Sequence, residues 1–538
     1  MDRQARIVRS AGIVSAAIAL SRVTGLVRDM VFARFFGAGM VYDAFLAAFR
    51  IPNLLRDLLA EGALSSAFVT TFSQYMVTKG DREAFRLSNL VVTVLAPLVA
   101  LLSLFGVIFA PSLVDLLFPG FAHVPGKRDL TITLTRIMMP FLFFIALAAK
   151  AMGVLHAKGV FGIPNLASAF FNIGSIVLGL GLGYLAGPAL GFDPIVGMAM
   201  GTLAGGVLQY LVQWPSLRRV GLRFRPELSL ADPGVRQIFR LMGPAVVGAA
   251  AVQVNVVVNS MFASQIADSS GQIVNGPVSW LGFAFRLMQL PIGLFGVAIA
   301  AATSPAISAS AATRDTTEFR STLATALGLV FLLCFPAAVG LILLGEPIIG
   351  VLFERGAFTS VDTAQTASAL AGYAVGLTGY AALKVLTPAF YALNDVRVPA
   401  AVSLASIAVN YALNWTFVRY LGQGHAGLAF STSLVATGNA LVLAAFLRRK
   451  IHRLGGRRLL ASFTRVLAAS AAMGAVCAAS SWAIRHALGV SFAGRLADLA
   501  VSIPLGLAVL YFCCRGLRVA ELDLALHAIA GRVRTAVR

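Results

Sequence analysis

The chain has 538 residues, of which 58% are hydrophobic and only 12% are charged, and its mean hydropathy is +0.85. Because soluble domains carry about 25% charged residues, this composition excludes a soluble globular protein and predicts a polytopic membrane protein. The formal net charge of +21 would suggest a nucleic-acid partner in a soluble protein, but here the basic residues fall in loops between apolar segments. We therefore expect no nucleic-acid partner.

Fourteen apolar segments follow one another along the chain, each with the roughly 20 residues that a helix needs to cross a bilayer. They lie at about 10–35, 41–77, 88–110, 131–155, 164–186, 193–214, 237–267, 277–310, 319–344, 364–392, 398–419, 427–447, 463–484 and 496–516. Pro52 in the second segment, and Pro291 and Pro305 in the eighth, predict bent or broken helices there. The basic N-terminus precedes the first segment as in a signal peptide, but no small-residue cleavage site follows, so we interpret it as a retained helix. The predicted fold class is an all-α polytopic membrane protein with about fourteen transmembrane helices.

Lys and Arg are distributed unequally between alternate loops. Loops on one side hold about 29 of them, including Lys150 and Lys158, and the other side holds seven: Arg34, Lys127, Arg128, Arg355, Arg419, Arg485 and Arg495. Because cytoplasmic loops are enriched in Lys and Arg, we predict a multi-pass membrane protein with both termini in the cytoplasm. Topology and contact with anionic membrane lipids then account for the excess positive charge.

Two long basic loops divide the segments into groups of six, six and two. The predicted parts are an N-lobe at 1–217, a basic cytoplasmic linker at 218–236, a C-lobe at 237–447, a basic cytoplasmic loop at 448–462, the last two spans at 463–516 and a cytoplasmic tail at 517–538. A weak repeat supports two related halves, since FLAAFRIPNLL at 45–55 resembles GFAFRLMQLPIGLF at 282–295, and both place an Arg before a Pro (Arg50 and Arg286). Transporters commonly consist of such repeated halves, with the substrate site between them.

Residues 21–68 concentrate charge in segments that are otherwise apolar. The nine charged residues are Arg22, Arg28, Asp29, Arg34, Asp43, Arg50, Arg56, Asp57 and Glu61. A charge near the bilayer centre costs about 2.5–3.5 kcal/mol on insertion scales, so such residues face a polar cavity and usually serve function. Helical spacing places Arg22 with Asp29, and Arg50 with Asp57, on shared faces, so mutual neutralisation is one interpretation. The other is an anion site, because the predicted span of Arg286 contains no acidic residue and the planar guanidinium matches phosphate oxygens bidentately.

Other sequence signals are weaker or absent. The histidines lack metal-ligand spacing, no G-x-x-x-x-G-K-[ST] or G-x-S-x-G motif occurs, and the four cysteines lie in apolar segments that suit packing. We therefore expect no metal, no cofactor and no enzymatic activity. Two pairs at i, i+4 spacing, Asn255 with Asn259 and Asn410 with Asn414, are candidate cation ligands, and interhelical hydrogen bonding is the alternative interpretation.

The motifs of the chain resemble those of the MviN/MurJ family of lipid II flippases, in the multidrug/oligosaccharidyl-lipid/polysaccharide exporter superfamily. The matching stretches are SRVTGLVRD, ARFFGAGMVYDAF and RIPNLLRDLLAEGALSSAF within 21–68, VSWLGFAFRLMQLPIGLFGVAI at 278–299, FERGAFT at 353–359 and LTPAFYALNDVRVP at 386–399. The resemblance implies two six-helix lobes around a cavity and a groove for the polyprenyl tail between the last two helices. It also implies a protein of the bacterial inner membrane that carries lipid-linked peptidoglycan precursor from the cytoplasmic to the periplasmic leaflet by alternating access. We expect it to act as a monomer, with peptidoglycan synthesis enzymes as further partners.

The resemblance also implies roles for individual residues. Three arginines match positions assigned to the pyrophosphate: Arg28, Arg56 and Arg286. Arg22, Asp43 and Glu61 also fall on family motif positions. Together with Asp29, Arg50 and Asn53, they are the residues that we expect to support the cavity or its gate. The family's sodium site would fall near the two Asn pairs.

Two alternatives remain open from the sequence. One is a flippase or exporter for a different lipid-linked oligosaccharide, whose loss cells usually survive. The other is a membrane scaffold that transports nothing and recruits wall-synthesis enzymes through its basic loops. Such a scaffold would tolerate changes at the cavity arginines and fail when residues 448–458 are neutralised.

Overall fold

The structure is a computed structural model that describes residues 3–58, 65–229, 231–313, 315–451 and 456–526. These residues are predominantly helical, and the extended pairing among them is one β-bridge between Ala267 and Ile273. The prediction of an all-α fold is confirmed. The chain forms two compact units, unit 1 (Met1–Val278) and unit 2 (Ser279–Arg538).

Unit 1 contains eleven helices within its described residues. They are α1 (Arg3–Phe36), α2 (Met40–Leu58), α3 (Ser65–Ile108), α4 (Ala110–Leu117), α5 (Lys127–Met138), α6 (Phe141–Ala157), α7 (Gly162–Leu180), α8 (Gly187–Leu190), α9 (Pro194–Leu211), α10 (Trp214–Arg219) and α11 (Pro233–Ser264). α3 is broken at Gly80, whose φ of 82° is left-handed, and a π-helical turn at Gly181–Ala186 follows α7. α11, the seventh predicted span, packs against α2 and α3, and the predicted lobe boundaries stay predictions.

Unit 2 contains nearly all of α12 and the remaining helices. They are α12 (Pro277–Pro291), α13 (Val297–Ala312), α14 (Thr316–Phe353), α15 (Ser360–Val375), α16 (Leu377–Ala392), α17 (Arg397–Asn414), α18 (Gly424–Lys450), α19 (Gly456–Leu488) and α20 (Phe492–Gly516). π-helical turns at Ile292–Gly296 and Trp415–Tyr420 follow α12 and α17. The last two helices pack on each other and on α14.

Ten helical stretches in the described part of the chain are long and apolar enough to cross a membrane, and the bent pair of α15 and α16 would make eleven. The first and seventh predicted spans are helical as α1 and α11 but lie outside this set, and the second, at 41–77, covers both α2, which is also outside the set, and the start of α3. α2 carries Asp43, Arg50, Arg56 and Asp57 within 19 residues, and among the described residues of α11 the apolar stretch found is the shorter one at Ala250–Ser264. The count of fourteen stays a prediction.

The core of unit 1 corrects one sequence expectation. Lys150 was counted among the loop residues of the basic side, but it lies in α6 with 5% of its surface exposed. Its Nζ donates to Ser88 Oγ on α3 and lies 5.7 Å from the ring centroid of Phe68. Lys150 therefore belongs to the helix core, and its contribution to the loop count is removed.

Glycines let α7 and α9 approach more closely than other residues would allow. A Cβ on Gly201 of α9 would lie 2.3 Å from Cα of Gly179, and a Cβ on Gly197 would lie 2.2 Å from the backbone nitrogen of Gly183. Small residues at helix contacts allow such close packing in membrane proteins. α7 also packs on α1, so this contact supports the helix that carries Arg28.

Replacing Gly201 by Ala should lower the thermal unfolding temperature of the purified protein in detergent. The added methyl group meets backbone atoms that cannot rotate away, and such overpacking typically costs about 1–3 kcal/mol. Gly181→Ala is the matched control, because a Cβ there has no atom within 4 Å. Equal unfolding temperatures for the two variants would contradict the close contact between α7 and α9.

Candidate functional site

Arg28 lies on α1 in a largely buried setting. Its Nη2 donates to Asp29 Oδ1 at 3.2 Å, and its guanidinium carbon lies 5.5 Å from the ring centroid of Phe171 and 5.9 Å from that of Phe32. A desolvated guanidinium is stabilised both by the adjacent carboxylate and by the faces of aromatic rings. The structure therefore keeps a permanent positive charge inside unit 1 close to its own counter-charge.

α7 fixes the position of α1 just before Arg28. Asn172 Nδ2 donates to the carbonyl oxygen of Ser21 and to Thr24 Oγ1, both at 3.2 Å. Gly25 leaves room for this contact, since a Cβ there would lie 3.4 Å from Asn172 Nδ2. Asn172 and its neighbour Phe171 thus set the register of α1, which the sequence analysis did not identify.

The ion pairs differ from those that helical spacing suggested. Asp29 pairs with the adjacent Arg28, and Arg22, seven residues earlier, is exposed. On α2, Asp57 pairs with the adjacent Arg56, whose Nε and Nη2 donate to Asp57 Oδ1 at 3.1 and 2.8 Å. A long arginine side chain reaches a neighbouring residue as easily as one two turns away, and Asp29 accordingly pairs with Arg28.

The other predicted cavity residues of this region lie along α2. Arg50, Asn53 and Arg56 are all half-buried, and Glu61 lies outside the described residues. Unit 1 thus contains Arg28 and Arg56, two of the three arginines expected to bind pyrophosphate. Arg286 lies on α12 in unit 2, where its side chain is exposed.

Asp43, at the start of α2, is the centre of a buried polar cluster. Asp43 Oδ2 accepts hydrogen bonds from Lys127 Nζ at 2.8 Å and from the backbone N–H of Gly276 at 2.7 Å. Lys127 Nζ also donates to Asn275 Oδ1 at 2.9 Å and lies 4.2 Å from the ring centroid of Phe121. Asp43 and Lys127 are 0% and 1% exposed, so the pair joins α2, α5 and the segment before α12 without contact with solvent.

Neighbouring contacts hold the same region together. The backbone N–H of Gly120 donates to Ser264 Oγ at 3.3 Å, and a Cβ on Gly120 would lie 1.8 Å from the carbonyl oxygen of Ser264. Arg128 binds Asp115 with both Nε and Nη2, at 2.6 and 2.8 Å, and this hydrogen bonding holds the pKa of the Asp115 carboxyl below its ordinary value. The count of loop residues predicts Lys127 in a loop between spans, and its burial shows that this prediction is wrong.

Unit 2 anchors the start of α12, the helix that carries Arg286. Trp280 Nε1 donates to Asp362 Oδ1 at 2.9 Å, and the Trp280 ring lies 4.9 Å from the ring of His425. Asp362 and Thr359 form a capping box at the start of α15. α12 is thus fixed to the starts of α15 and α18 six residues before Arg286, and it passes into a π-helical turn after Pro291.

The last two helices carry a polar network that the sequence analysis missed. Asp498 on α20 is fully buried and accepts from Ser481 and Ser502 at 2.6 and 2.7 Å. Further ion pairs connect these helices with α14 and the residue after it: Arg485 with Glu346 at 2.9 Å and Arg495 with Glu354 at 2.8 Å. The pair α19–α20 is therefore attached by charge as well as by small residues, and the groove for a lipid tail stays a prediction.

The Asn pairs lie on two helices in different units. Asn255 and Asn259 are on α11, and Asn255 Nδ2 donates to the carbonyl oxygen of Ala251 at 3.3 Å. Asn410 and Asn414 are buried on α17, and Asn414 Oδ1 accepts from Ser431 on α18. This last contact is the interhelical hydrogen bond that the alternative interpretation expects. Among the described residues, no group of three His, Cys, Asp or Glu side chains could hold a metal ion.

Comparison with known proteins places this arrangement in context. The family model described as "Lipid II flippase MurJ" matches residues 32–496. The lipid II flippase MurJ of Burkholderia cenocepacia is 36% identical over 81% of this chain and 83% of its own length, and the probable lipid II flippase MurJ of Vibrio cholerae is 35% identical over 84% of each chain.

Solved structures show the same fold. A lipid II flippase MurJ in an inward closed conformation matches with a TM-score of 0.73 and 25% identity, over 94% of this chain and 99% of that chain. An inward-facing multidrug resistance MATE transporter of the MOP superfamily matches with a TM-score of 0.61 and 19% identity, over 82% of this chain and 95% of that chain. The second likeness concerns the fold alone.

Replacing Lys127 by Met should strongly destabilise the protein, because Asp43 would keep a buried charge without its ammonium partner. Breaking a buried pair in this way typically costs about 3–5 kcal/mol. Thermal unfolding in detergent measures the effect. The double variant Asp43→Asn/Lys127→Met removes both charges and should recover much of the loss. Losses that simply add in the double variant would contradict the coupling between these residues.

Proposed function

The chain belongs to the lipid II flippase MurJ family, and from this premise we propose how it moves lipid II, the undecaprenyl-pyrophosphate-linked peptidoglycan precursor, across the membrane. It is a multi-pass membrane protein that flips this lipid by alternating access. We place it in the inner membrane with both termini in the cytoplasm, so that the lipid passes from the cytoplasmic to the periplasmic leaflet. It acts as a transporter, with no chemical step of its own.

The observation that carries this function is the family match, which spans residues 32–496 and includes Arg56 and Arg286. Family membership favours lipid II over other lipid-linked oligosaccharides and a transporter over a scaffold. The polar head of lipid II, with its pyrophosphate, is the part that a bilayer excludes. A protein that carries it needs fixed positive charges at membrane depth and a path for the tail in lipid.

Arg28, Arg56 and Arg286 are proposed to bind the pyrophosphate. Arginine stays protonated in any accessible environment and binds phosphate oxygens through two parallel N–H groups. Arg28 and Arg56 each have an adjacent aspartate at hydrogen-bond distance. These carboxylates offset the arginine charge in the empty site, and a pyrophosphate oxygen can take over the guanidinium when the head group arrives.

The two arginine–aspartate pairs differ in burial, and this difference suggests different roles in binding the head group. The side chains of Arg56 and Asp57 are 26% and 39% exposed, whereas those of Arg28 and Asp29 are 10% and 5% exposed. An exposed pair is weak and exchanges its partner at little cost. We therefore assign first contact with the head group to Arg56, and assign Arg28 to the more desolvated bound state. Arg22, Asp29, Arg50, Asn53 and Glu61 support the cavity in this proposal.

Asp43 is proposed as a gate residue. Its contacts with Lys127 and Gly276 fix the start of α2 to the peptide that leads into α12. Because these contacts are buried, moving α2 away from that peptide requires both to break, which favours two discrete states over a gradual opening. The cluster lies at the ends of α2 and α5 that the loop charges predict to face the periplasm.

Single replacements of Arg28, Arg56 or Arg286 by Ala should abolish support of growth in cells depleted of the wild-type chain. Each removes a guanidinium that binds pyrophosphate, and abundance in the membrane should stay at the wild-type level. Growth and membrane abundance are the two measurements. Arg448→Ala, at an exposed arginine in the last turn of α18, is the matched control and should grow normally.

Arg28 needs one further variant, because its loss alone leaves Asp29 buried without this neighbour. Arg28→Ala/Asp29→Asn keeps the local charge balanced and should also fail to support growth. Normal growth of all three single Ala variants at wild-type abundance would contradict the assignment of the pyrophosphate site.

A further inference from the structure

The segment from Trp214 to Leu228, here called the anchor segment, joins α9 to α11 on the face of unit 1 that carries the basic loops. It combines exposed positive charge with exposed large apolar side chains. Phe224 and Leu228 are 53% and 73% exposed. Four arginines of the segment are exposed as well: Arg218, Arg219, Arg223 and Arg225.

The backbone of the anchor segment is fixed to the rest of unit 1. Asn89 Nδ2 of α3 donates to the carbonyl oxygen of Arg223 at 3.1 Å, and Arg86 Nε donates to Glu227 Oε2 at 3.1 Å. Leu217 and Leu222 are buried in the core cluster of α3, α6 and α11. These contacts fix the backbone of the anchor segment, and the fold therefore keeps its arginines, Phe224 and Leu228 exposed.

The anchor segment carries a net positive charge. Its one carboxylate, Glu227, is engaged by Arg86, an ion pair that leaves the four exposed arginines without an acidic neighbour inside the segment. Clusters of basic residues next to membrane spans attract anionic lipids.

Aromatic residues place the segment at the depth of the head groups. Tyr210 and Trp214 pack edge to face at 5.9 Å between ring centroids where α9 ends, and the Arg218 guanidinium lies 5.3 Å from the Trp214 ring. Tyr and Trp are enriched where a membrane protein crosses between lipid and water. The arginines thus begin at the interface itself, and the two apolar side chains follow within ten residues.

We propose that the anchor segment docks on anionic phospholipid head groups of the leaflet on that face, with Phe224 and Leu228 inserted among the lipid chains. Two exposed apolar side chains in a strongly basic segment suit a surface that is acidic at the head groups and apolar just beneath. An acidic protein surface would satisfy the arginines and leave the apolar pair without a matching environment. The docking fixes the start of α11, which Asp232 caps four residues later.

The test measures binding of phosphatidylglycerol and phosphatidylcholine to the full chain in detergent by native mass spectrometry, over a range of salt concentrations. The wild type should bind phosphatidylglycerol preferentially. Arg218→Gln/Arg219→Gln/Arg223→Gln/Arg225→Gln should weaken that binding at least about tenfold and flatten its salt dependence. Phe224→Ser/Leu228→Ser should weaken binding severalfold and leave the salt dependence unchanged.

A control variant tests whether lipid binding depends on the arginines of the anchor segment or only on the total positive charge of the protein. It removes four exposed arginines outside the anchor segment: Arg82 on α3, Arg397 at the start of α17, and Arg448 and Arg449 at the end of α18, each to Gln. This control should retain most of the phosphatidylglycerol binding. The unfolding temperature of each variant checks the fold, and Arg223→Gln/Arg225→Gln replaces the fourfold variant if that one does not fold.

Unchanged phosphatidylglycerol binding in the anchor variants would overturn the proposal, as would an equal loss in the control. The proposal would also be wrong if the anchor variants bound phosphatidylglycerol normally but failed to support growth. That result would point to another partner, such as an acidic protein. Because the assay contains no lipid II, its outcome does not depend on the proposed function.

Discussion

A charged side chain inside a membrane protein needs a counter-charge or hydrogen-bond partner nearby, and this requirement organises the structure. Asp29 has the adjacent Arg28, Asp57 has the adjacent Arg56, and Asp43 has Lys127 from a distant helix. Each pair lowers the cost of keeping charge at depth. A carrier of pyrophosphate depends on this arrangement, because positive charge must be present before the anionic head arrives.

The helices that carry these charges are held by specific contacts close to the functional residue. Asn172 holds α1 just before Arg28, and Trp280 holds α12 six residues before Arg286. Close glycine packing of α9 on α7 supports the first of these contacts. For the proposed pyrophosphate site, such contacts would hold each guanidinium in a defined position for a phosphate oxygen. The contacts of Asp43, by contrast, join separate segments of the chain, which is why we propose a gate there.

Sequence patterns predicted the all-α class, most helix positions and the family, because hydrophobic length and local motifs determine these features. They did not reveal Lys127 as the partner of Asp43 or Ser481 as a partner of Asp498, since both are far from these carboxylates in the chain. Counting Lys127 and Lys150 as loop residues failed for the same reason, as both find buried partners on other helices. Helical spacing also predicts Arg22 as the ion-pair partner of Asp29, whereas the flexible side chain of the adjacent Arg28 reaches that carboxylate.

The central claim is that this chain moves lipid II through arginines that bind its pyrophosphate. The most direct test is the exposure of lipid II to an impermeant enzyme that cuts it from the periplasmic side. The cells would be depleted of the wild-type chain and carry Arg286→Ala. We predict that lipid II accumulates uncut and that a wild-type copy restores cutting. Normal cutting in cells that lack the chain altogether would contradict lipid II as its required cargo, and normal cutting with Arg286→Ala alone would contradict the arginine site.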